Sequence, residues 1–553
     1  MQYFQLISTK IENLMALWDP ITQCGSYGCF ILKIYCDSII KITKAKIMCG
    51  FFISNHSSIN KQHEKILENT LRFRGPDGSS GIINNGDWCA YHARLSIIDL
   101  ESGVNQPVKD LSGGLLVFNG EILNYKELGY KYFDREFKSD TLLLSELIIN
   151  KKLSLNELDG FFAFVYINKN NEIEYAARDR FGVKPLFFYK ECNSYSFSSE
   201  PNTLKQIFSL KVNPDSIEEY KATRAPIFSG SYFDGISQVN PGECLINGYY
   251  FQASEYLKED YCDISKEELL AAVTKGLNSR KISDAPIGLL LSKGIDSNLL
   301  KAIGKFDRYY SIGFEDDADI SYLQSKKIEN LKIAISTPEE YLADFNYLLN
   351  LRGEPLSVPN EVLLYQISKI AAKDGIKVLL SGEGADEFFA GYDRIFKWAS
   401  EANNFDLDTF LDMYCYITPE KKSKLYNVFE QLFANIEIIN PFEKVRWFFI
   451  RYHMPVLFRR LDFALMAAGV EGREPLANQH IFNLAVKYSA KSLMGQTLGK
   501  VPLRELLSEY LGHNFAYEKK VGFPVNLSTI FTNHDNLSSY ELWFNENLKV
   551  LKK

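Results

Sequence analysis

The sequence predicts a two-domain α/β protein, and three observations carry that reading. At 553 residues the chain is longer than one hydrophobic core supports, so two large domains are expected. The apolar run Leu289-Leu290-Leu291 passes into Ser292-Lys293-Gly294-Ile295-Asp296-Ser297, and a helix-like run follows. Val378–Leu380 passes in the same way into Ser381-Gly382-Glu383-Gly384-Ala385-Asp386-Glu387. A short apolar run ended by a Gly/Ser turn is the pattern of a strand buried on both faces of a parallel sheet.

Composition narrows the class. A hydrophobic share of 46% with 24% charged residues is that of a globular chain. A net charge of −7, with no strong basic block, argues against a general nucleic-acid binder. Nine cysteines scattered without CxxC pairs indicate a reduced, cytoplasmic protein. No apolar run reaches the roughly 18–20 residues of a membrane span; residues 28–40 come nearest, and Lys33 and Asp37 interrupt them. Residues 1–48 lack the basic-then-apolar pattern of a secretory signal and read as a loosely attached extension.

After Met48, Cys49-Gly50-Phe51-Phe52-Ile53 is a short apolar strand headed by a thiol. A lone Cys before a strand is usually a small buried hydrophobe. Here it is followed in order by Arg74-Gly75-Pro76-Asp77, Arg94-Leu95-Ser96-Ile97-Ile98-Asp99, Asn119-Gly120-Glu121-Ile122-Leu123-Asn124, Ser139-Asp140-Thr141 and Arg178–Leu186. Together these resemble the class II glutamine amidotransferases, over about residues 49–245. The resemblance implies an N-terminal-nucleophile αββα glutaminase domain with Cys49 as nucleophile. The base for the thiol would be the α-amine of Cys49 itself, whose pKa of about 8 leaves a neutral fraction at pH 7. A chain beginning at Cys49 is therefore the expected working form. By chemistry and resemblance, Arg94 would take the glutamine α-carboxylate, and Asp140 helped by Glu121 the ammonium. The Asn119 amide and Gly120 N–H would form the oxyanion hole.

Pro241-Gly242-Glu243-Cys244 and the irregular run to Tyr261 read as a join. A helix then opens with a Ser265–Glu268 capping box and an Ile264/Leu269 staple. Beyond it, Ser292–Ser297 resembles the pyrophosphate loop of the ATP pyrophosphatases, with Lys293 where a Gly is usual. Backbone N–H groups at a helix N-terminus make a phosphate cradle, to which Leu291, Ser292, Gly294 and Ser297 contribute. Asp296 can hold Mg²⁺. Lys293 is expected to point to solvent, to assist the phosphates, or to crowd the loop, in that order. Tyr309–Phe314 reads as a second buried strand, with Ile312 placed for adenine. Ser381–Glu387 resembles the second signature of asparagine synthetases, which implies Ser381 and Gly382 at ATP, Asp386 sharing Mg²⁺ with Asp296, and Glu383 as a base for ammonia. Lys500 matches the family lysine that stabilises adenylation.

The resemblance spans residues 49 to about 525 and implies a two-domain asparagine-synthetase-type amidotransferase. Its cofactors would be ATP and Mg²⁺, its partners small molecules, and its assembly a homodimer. Ammonia freed at Cys49 would travel inside the protein to an acyl-adenylate. The expected boundaries are an extension over 1–48, a glutaminase over 49–250, a parallel-sheet α/β synthetase over 260–530 and a tail over 531–553. The acceptor stays open between aspartate and a sugar uronic acid, because Arg473-Glu474-Pro475-Leu476-Ala477-Asn478 departs from the family stretch and ends in Asn rather than an acid. A degenerate binding protein without turnover is the third reading.

Overall fold

The computed structural model describes residues 49–76, 78–94, 106–283, 285–519, 525–531 and 537–552. The readings placed on 1–48, Asp77 and 95–99, and on the Cys49 side chain, lie outside the described residues.

Strand alternation builds the first half. Cys49–Ser54 pairs antiparallel with Ser194–Ser198 on one side and Trp88–Arg94 on the other. A second antiparallel sheet places Leu115–Ile122, Gly160–Ile167 and Ile173–Arg178 side by side. Successive side chains point to opposite faces. Phe51 and Ile53 therefore share a core with Leu115, Val117, Ala163 and Val165 of the second sheet. Phe52 and Tyr91 turn the other way, into a core with Leu67, Leu71 and Leu204 of helices Glu64–Leu71 and Pro201–Phe208. On the far side, Leu116, Phe118, Phe162 and Phe164 join Leu128, Leu143, Leu144 and Leu147 of helices Tyr125–Phe133 and Asp140–Ile149. The layers run helix, sheet, sheet, helix, which is the αββα arrangement.

The second half opens with helix Lys266–Arg280. Ser265 Oγ accepts from Glu268 N at 3.2 Å, and Glu268 Oε2 accepts from Ser265 N at 2.9 Å, which is the capping box read from the sequence. Five parallel strands follow, in the spatial order Leu331–Ile335, Arg308–Gly313, Ile287–Leu290, Val378–Leu380, Glu471–Arg473. From Ile287–Leu290 the chain builds outward to one edge and then returns to lay down the other. The reversal lies between Ile287–Leu290 and Val378–Leu380, and a crevice opens at the carboxyl ends of strands at such a point. Among the described residues, no helix is long and apolar enough to cross a membrane.

Two structural readings need correction. The stretch expected as a tail carries helix Ser539–Leu548, with Trp543 and Asn547 fully buried. Asn547 Oδ1 accepts from Leu356 N at 2.8 Å, and the Trp543 indole donates to Ser357 O at 3.2 Å. That helix is core, and its Ser538–Glu541 capping box stood in the sequence unread. The departure at Asn478 is also structural. Asn478 caps helix Gln479–Ala485, accepting from His480 N and Ile481 N at 2.9 and 3.1 Å. Its Nδ2 donates to Pro475 O at 2.7 Å, and Leu476 is fully buried.

Buried charges cross between the halves. Arg74 donates to Glu200 at 2.6 Å and to Asp462 at 2.7 Å. Lys184 joins the same Asp462 at 2.8 Å, and Arg280 meets Asp159 at 3.0 Å. Arg473 pairs with Glu471 on its own strand and with Glu121 of the first half.

Candidate functional site

The first half gathers its candidate residues around one strand pair. Register sets Cys49 opposite Arg94 in the first sheet. Asn119 and Gly120 lie on Leu115–Ile122 of the second. The Asn119 Nδ2 is buried with no hydrogen-bond partner among the described residues, so a strong donor is held away from water. Gly120 has φ +125°, and a Cβ there would stand 2.1 Å from Phe161 O; only glycine fits. Asp140 opens helix Asp140–Ile149 and is locked to the Asn119 strand, accepting from Ile122 N at 3.0 Å and from Thr141 N at 2.6 Å. Burial pushes its carboxyl up to about 6, against those hydrogen bonds. Glu121, expected to help Asp140, is buried on the same strand as Asn119. Its carboxylate already faces the Arg473 guanidinium, a partner 352 residues away.

The second half gathers its residues around a cavity of about 380 Å³. Leu291, Ser292, Asp296, Ser297, Ile312, Ser381, Gly382, Glu383 and Asp386 all line it. The first loop is braced from within. Ser297 Oγ accepts from Ser292 N at 3.2 Å, Ser292 Oγ accepts from Gly294 N at 3.1 Å, and Asn298 Nδ2 ties Ser292 O and Gly294 O at 2.9 and 2.8 Å. Gly294 caps helix Ile295–Ile303, which aims an N-terminus at the crevice. Lys293 turns out of the loop, to Glu518 and the face of Tyr322, and does not line the cavity. The side chain is half-buried in that pairing rather than pointing free into solvent.

Lys500 closes the arrangement. Its backbone is left-handed at φ +59°, a conformation that L side chains rarely adopt, just ahead of helix Val501–Leu511. The Nζ lies 2.8 Å from Asp296 and 2.7 Å from Asp386, joining the two motifs. Burial alone would lower this ammonium's pKa; Asp296 and Asp386 reverse the sign and hold it above the ordinary lysine value. Asp296 Oδ1 is buried without a partner among the described residues. Two carboxylates from the first turns of separate helices, one with an orphaned oxygen, fit a hard divalent cation such as Mg²⁺.

Sequence reasoning missed a polar wall of the same cavity, formed by Arg224, Glu387, Tyr392, His453 and Arg460. His453 sits on the π-helical turn Phe449–His453, a distortion that often marks functional positions. Arg224 Nη2 donates to His453 Nδ1 at 3.2 Å, His453 Nε2 meets Tyr392 Oη at 3.0 Å, and Tyr392 donates to Glu387 at 2.6 Å. Arg224 Nη2 also lies 3.4 Å from Nε2, and Tyr414 Oη lies 3.2 Å from Nδ1, so the imidazole is contacted at both nitrogens. Burial, with Arg224 and Arg460 nearby, holds His453 neutral. Burial and then the charge of Asp386 push Glu387 up to about 8. Glu387 and Tyr392 lie in or just past a motif already read, whereas Arg224 is 229 residues from His453 and carries no local signal.

An asparagine synthase family model matches residues 268–542, and a glutamine amidotransferase domain model matches residues 48–261. The chain is 31% identical to asparagine synthetase (glutamine-hydrolyzing) 1 of Bacillus subtilis, over 62% of this chain and 59% of that protein. It is 29% identical to putative asparagine synthetase (glutamine-hydrolyzing) 1 of Methanocaldococcus jannaschii, over 81% and 82%. Identity to asparagine synthetase B of Escherichia coli is 25%, over 83% and 78%.

Proposed function

Since the chain belongs to the glutamine-hydrolysing asparagine synthetase family, we propose that it transfers the amide nitrogen of glutamine to a carboxylate activated by Mg-ATP, with aspartate as acceptor. The observation that carries this reading is buried Lys500 held between Asp296 and Asp386, two carboxylates that line a cavity walled by both Gly/Ser motifs.

In the first half, the Cys49 thiolate would attack the glutamine amide after its own α-amine takes the proton. Asn119 Nδ2 and the Gly120 N–H would stabilise the oxyanion, Arg94 the α-carboxylate and Asp140 the ammonium. In the second half, the acceptor carboxylate would attack the α-phosphorus of ATP, forming an acyl-adenylate and releasing pyrophosphate. Asp296 and Asp386 would hold Mg²⁺, which neutralises phosphate charge. Lys500 would stabilise the charge that develops on the leaving phosphates. Glu383, gripped by Arg460 at the cavity wall, would take a proton from the attacking ammonia. An enclosed route between the two sites keeps ammonia from protonation in water. The deciding experiment uses a chain starting at Cys49 with Mg-ATP, L-aspartate and ammonium. Stoichiometric asparagine, AMP and pyrophosphate support the reading, and AMP release that ignores aspartate removes aspartate as acceptor.

Two outcomes follow from this site. A Cβ at Gly391 would stand 1.8 Å from Asp386 Oδ1 and 2.2 Å from Lys500 Cε, so Gly391→Ala displaces both. Ammonia-dependent synthesis should fall about 100-fold, the scale of an ångström-sized misplacement, while glutaminase activity stays at the wild-type rate. Loss of both activities together would point to misfolding instead. At the other site, the ammonium needs Asp140 as carboxylate, and the neutral acid prevails below about pH 6. Glutamine affinity, read by calorimetry on Cys49→Ala, should be flat above that pH and fall about tenfold per unit well below it. An Asp140→Asn variant should bind weakly at every pH; a wild-type profile flat to pH 5 would remove Asp140 from this role.

A further inference from the structure

The proposed chemistry leaves one cation of the synthetase cavity unused. Arg224 follows helix Pro214–Thr223 of the first half, at φ +69°, and lines the cavity of the second. Its Nη2 is bonded to His453, and its guanidinium carbon lies 4.9 Å from the Tyr416 ring centre. Its Nε is shut off from water with no partner among the described residues. The groups around it are His453, Tyr392, Tyr414, Tyr416 and Tyr540, none of which is a carboxylate. The neighbouring Arg460 is matched by Glu383. Arg224 has no carboxylate partner among the described residues.

Arg224 is half-buried, with only its Nε shut off from water, so the rest of its planar fork is open to the cavity and matches a carboxylate or a phosphate. The hydrogen bonds linking Arg224, His453 and Tyr392 end at Glu387, beside Asp386 in the same cavity. They fix the distance between those carboxylates and the unmatched charge.

We propose that Arg224 binds a second anionic group of the acceptor, so that the acceptor is a dianion with one carboxylate to be activated and another carboxylate or a phosphate held at Arg224. This rests on the carboxylate-activating reading above. The first half thus lends a specificity residue to the site of the second. Both L-aspartate, through its α-carboxylate, and a nucleotide-linked uronic acid, through its diphosphate, have the required chemistry.

The test is calorimetric binding to the chain beginning at Cys49, loaded with Mg²⁺ and α,β-methylene-ATP. L-Aspartate and UDP-glucuronate are titrated separately into wild type, Arg224→Gln and Arg224→Lys. One of the two should bind wild type, which names the source of the second anion. Arg224→Gln should weaken that binding by about 10- to 100-fold, and Arg224→Lys should restore part of it. The counterpart lacking the second anion, β-alanine or free glucuronate, should bind wild type and Arg224→Gln alike. Unchanged affinity for the ATP analogue in all three proteins shows that the cavity is intact. Equal dianion affinity in wild type and Arg224→Gln overturns the proposal, as does failure of both dianions to bind wild type. Ammonia-dependent AMP release judges the parent reading separately: turnover indifferent to Arg224 keeps the function and removes the inference.

Discussion

A chain whose first residue is Cys49 should hydrolyse glutamine about a thousandfold faster than the 553-residue chain, the range that a positioned general base contributes. The reason is the nitrogen of residue 49. As a terminal amine it has a lone pair and a pKa of about 8; as a peptide nitrogen it has neither basicity nor a proton-accepting geometry. Cys49 is the first residue of the strand Cys49–Ser54 and is paired directly with Arg94. Ammonia-dependent synthesis should be the same in both chains, because that reaction never uses the thiol. Comparing glutaminase rates of the two chains, each refereed by its ammonia-dependent rate, checks this. Equal glutaminase rates would mean that a different group activates the thiol.

Lys500→Met should lower ammonia-dependent synthesis by about a thousandfold, the loss typical of a pre-aligned electrostatic stabiliser removed from a water-poor site. Methionine keeps most of the side-chain volume and removes the charge. Lys500 lies 2.8 and 2.7 Å from two carboxylates on the first turns of different helices, so its loss also leaves those carboxylates repelling each other. Lys500→Arg should rescue little, since a planar fork does not replace a compact ammonium between two oxygens. Glutaminase kcat should be unaffected, and a pyrophosphate-release assay beside a glutaminase assay reads both. A Lys500→Met protein with wild-type pyrophosphate release would reduce this residue to a tether between helices.

The second half was the more legible of the two in the sequence. Ile287–Leu290 and Val378–Leu380 are continuous apolar runs because both faces of a parallel sheet are covered, and each ends where a Gly/Ser loop must begin. The cavity residues that lie on those loops were therefore found. Arg224 and the Glu121–Arg473 pair were not, because their partners lie 229 and 352 residues away and no local pattern encodes such meetings. Asn478 misled for a different reason. A departure from an acid looked functional, yet an N-cap accepts Asn and Asp almost equally well. Helix Ser539–Leu548 carries a local signal in its Ser538–Glu541 box, but its burial depends on Leu356 and Ser357, which no local pattern names.

The ions that meet across the join make the two halves poor candidates for transplantation. Glu121, Lys184, Arg74 and Asp159 each face an opposite charge, and those charges, Arg473, Asp462 and Arg280, lie beyond the join. A chimera that married this glutaminase to an unrelated synthetase would strand several charges in a dry seam, at about 3–5 kcal/mol for each broken pair. Few domains with ordinary margins of stability tolerate two such losses. Inheritance must then treat the pair as a single unit, with a change on one side of the seam answered on the other.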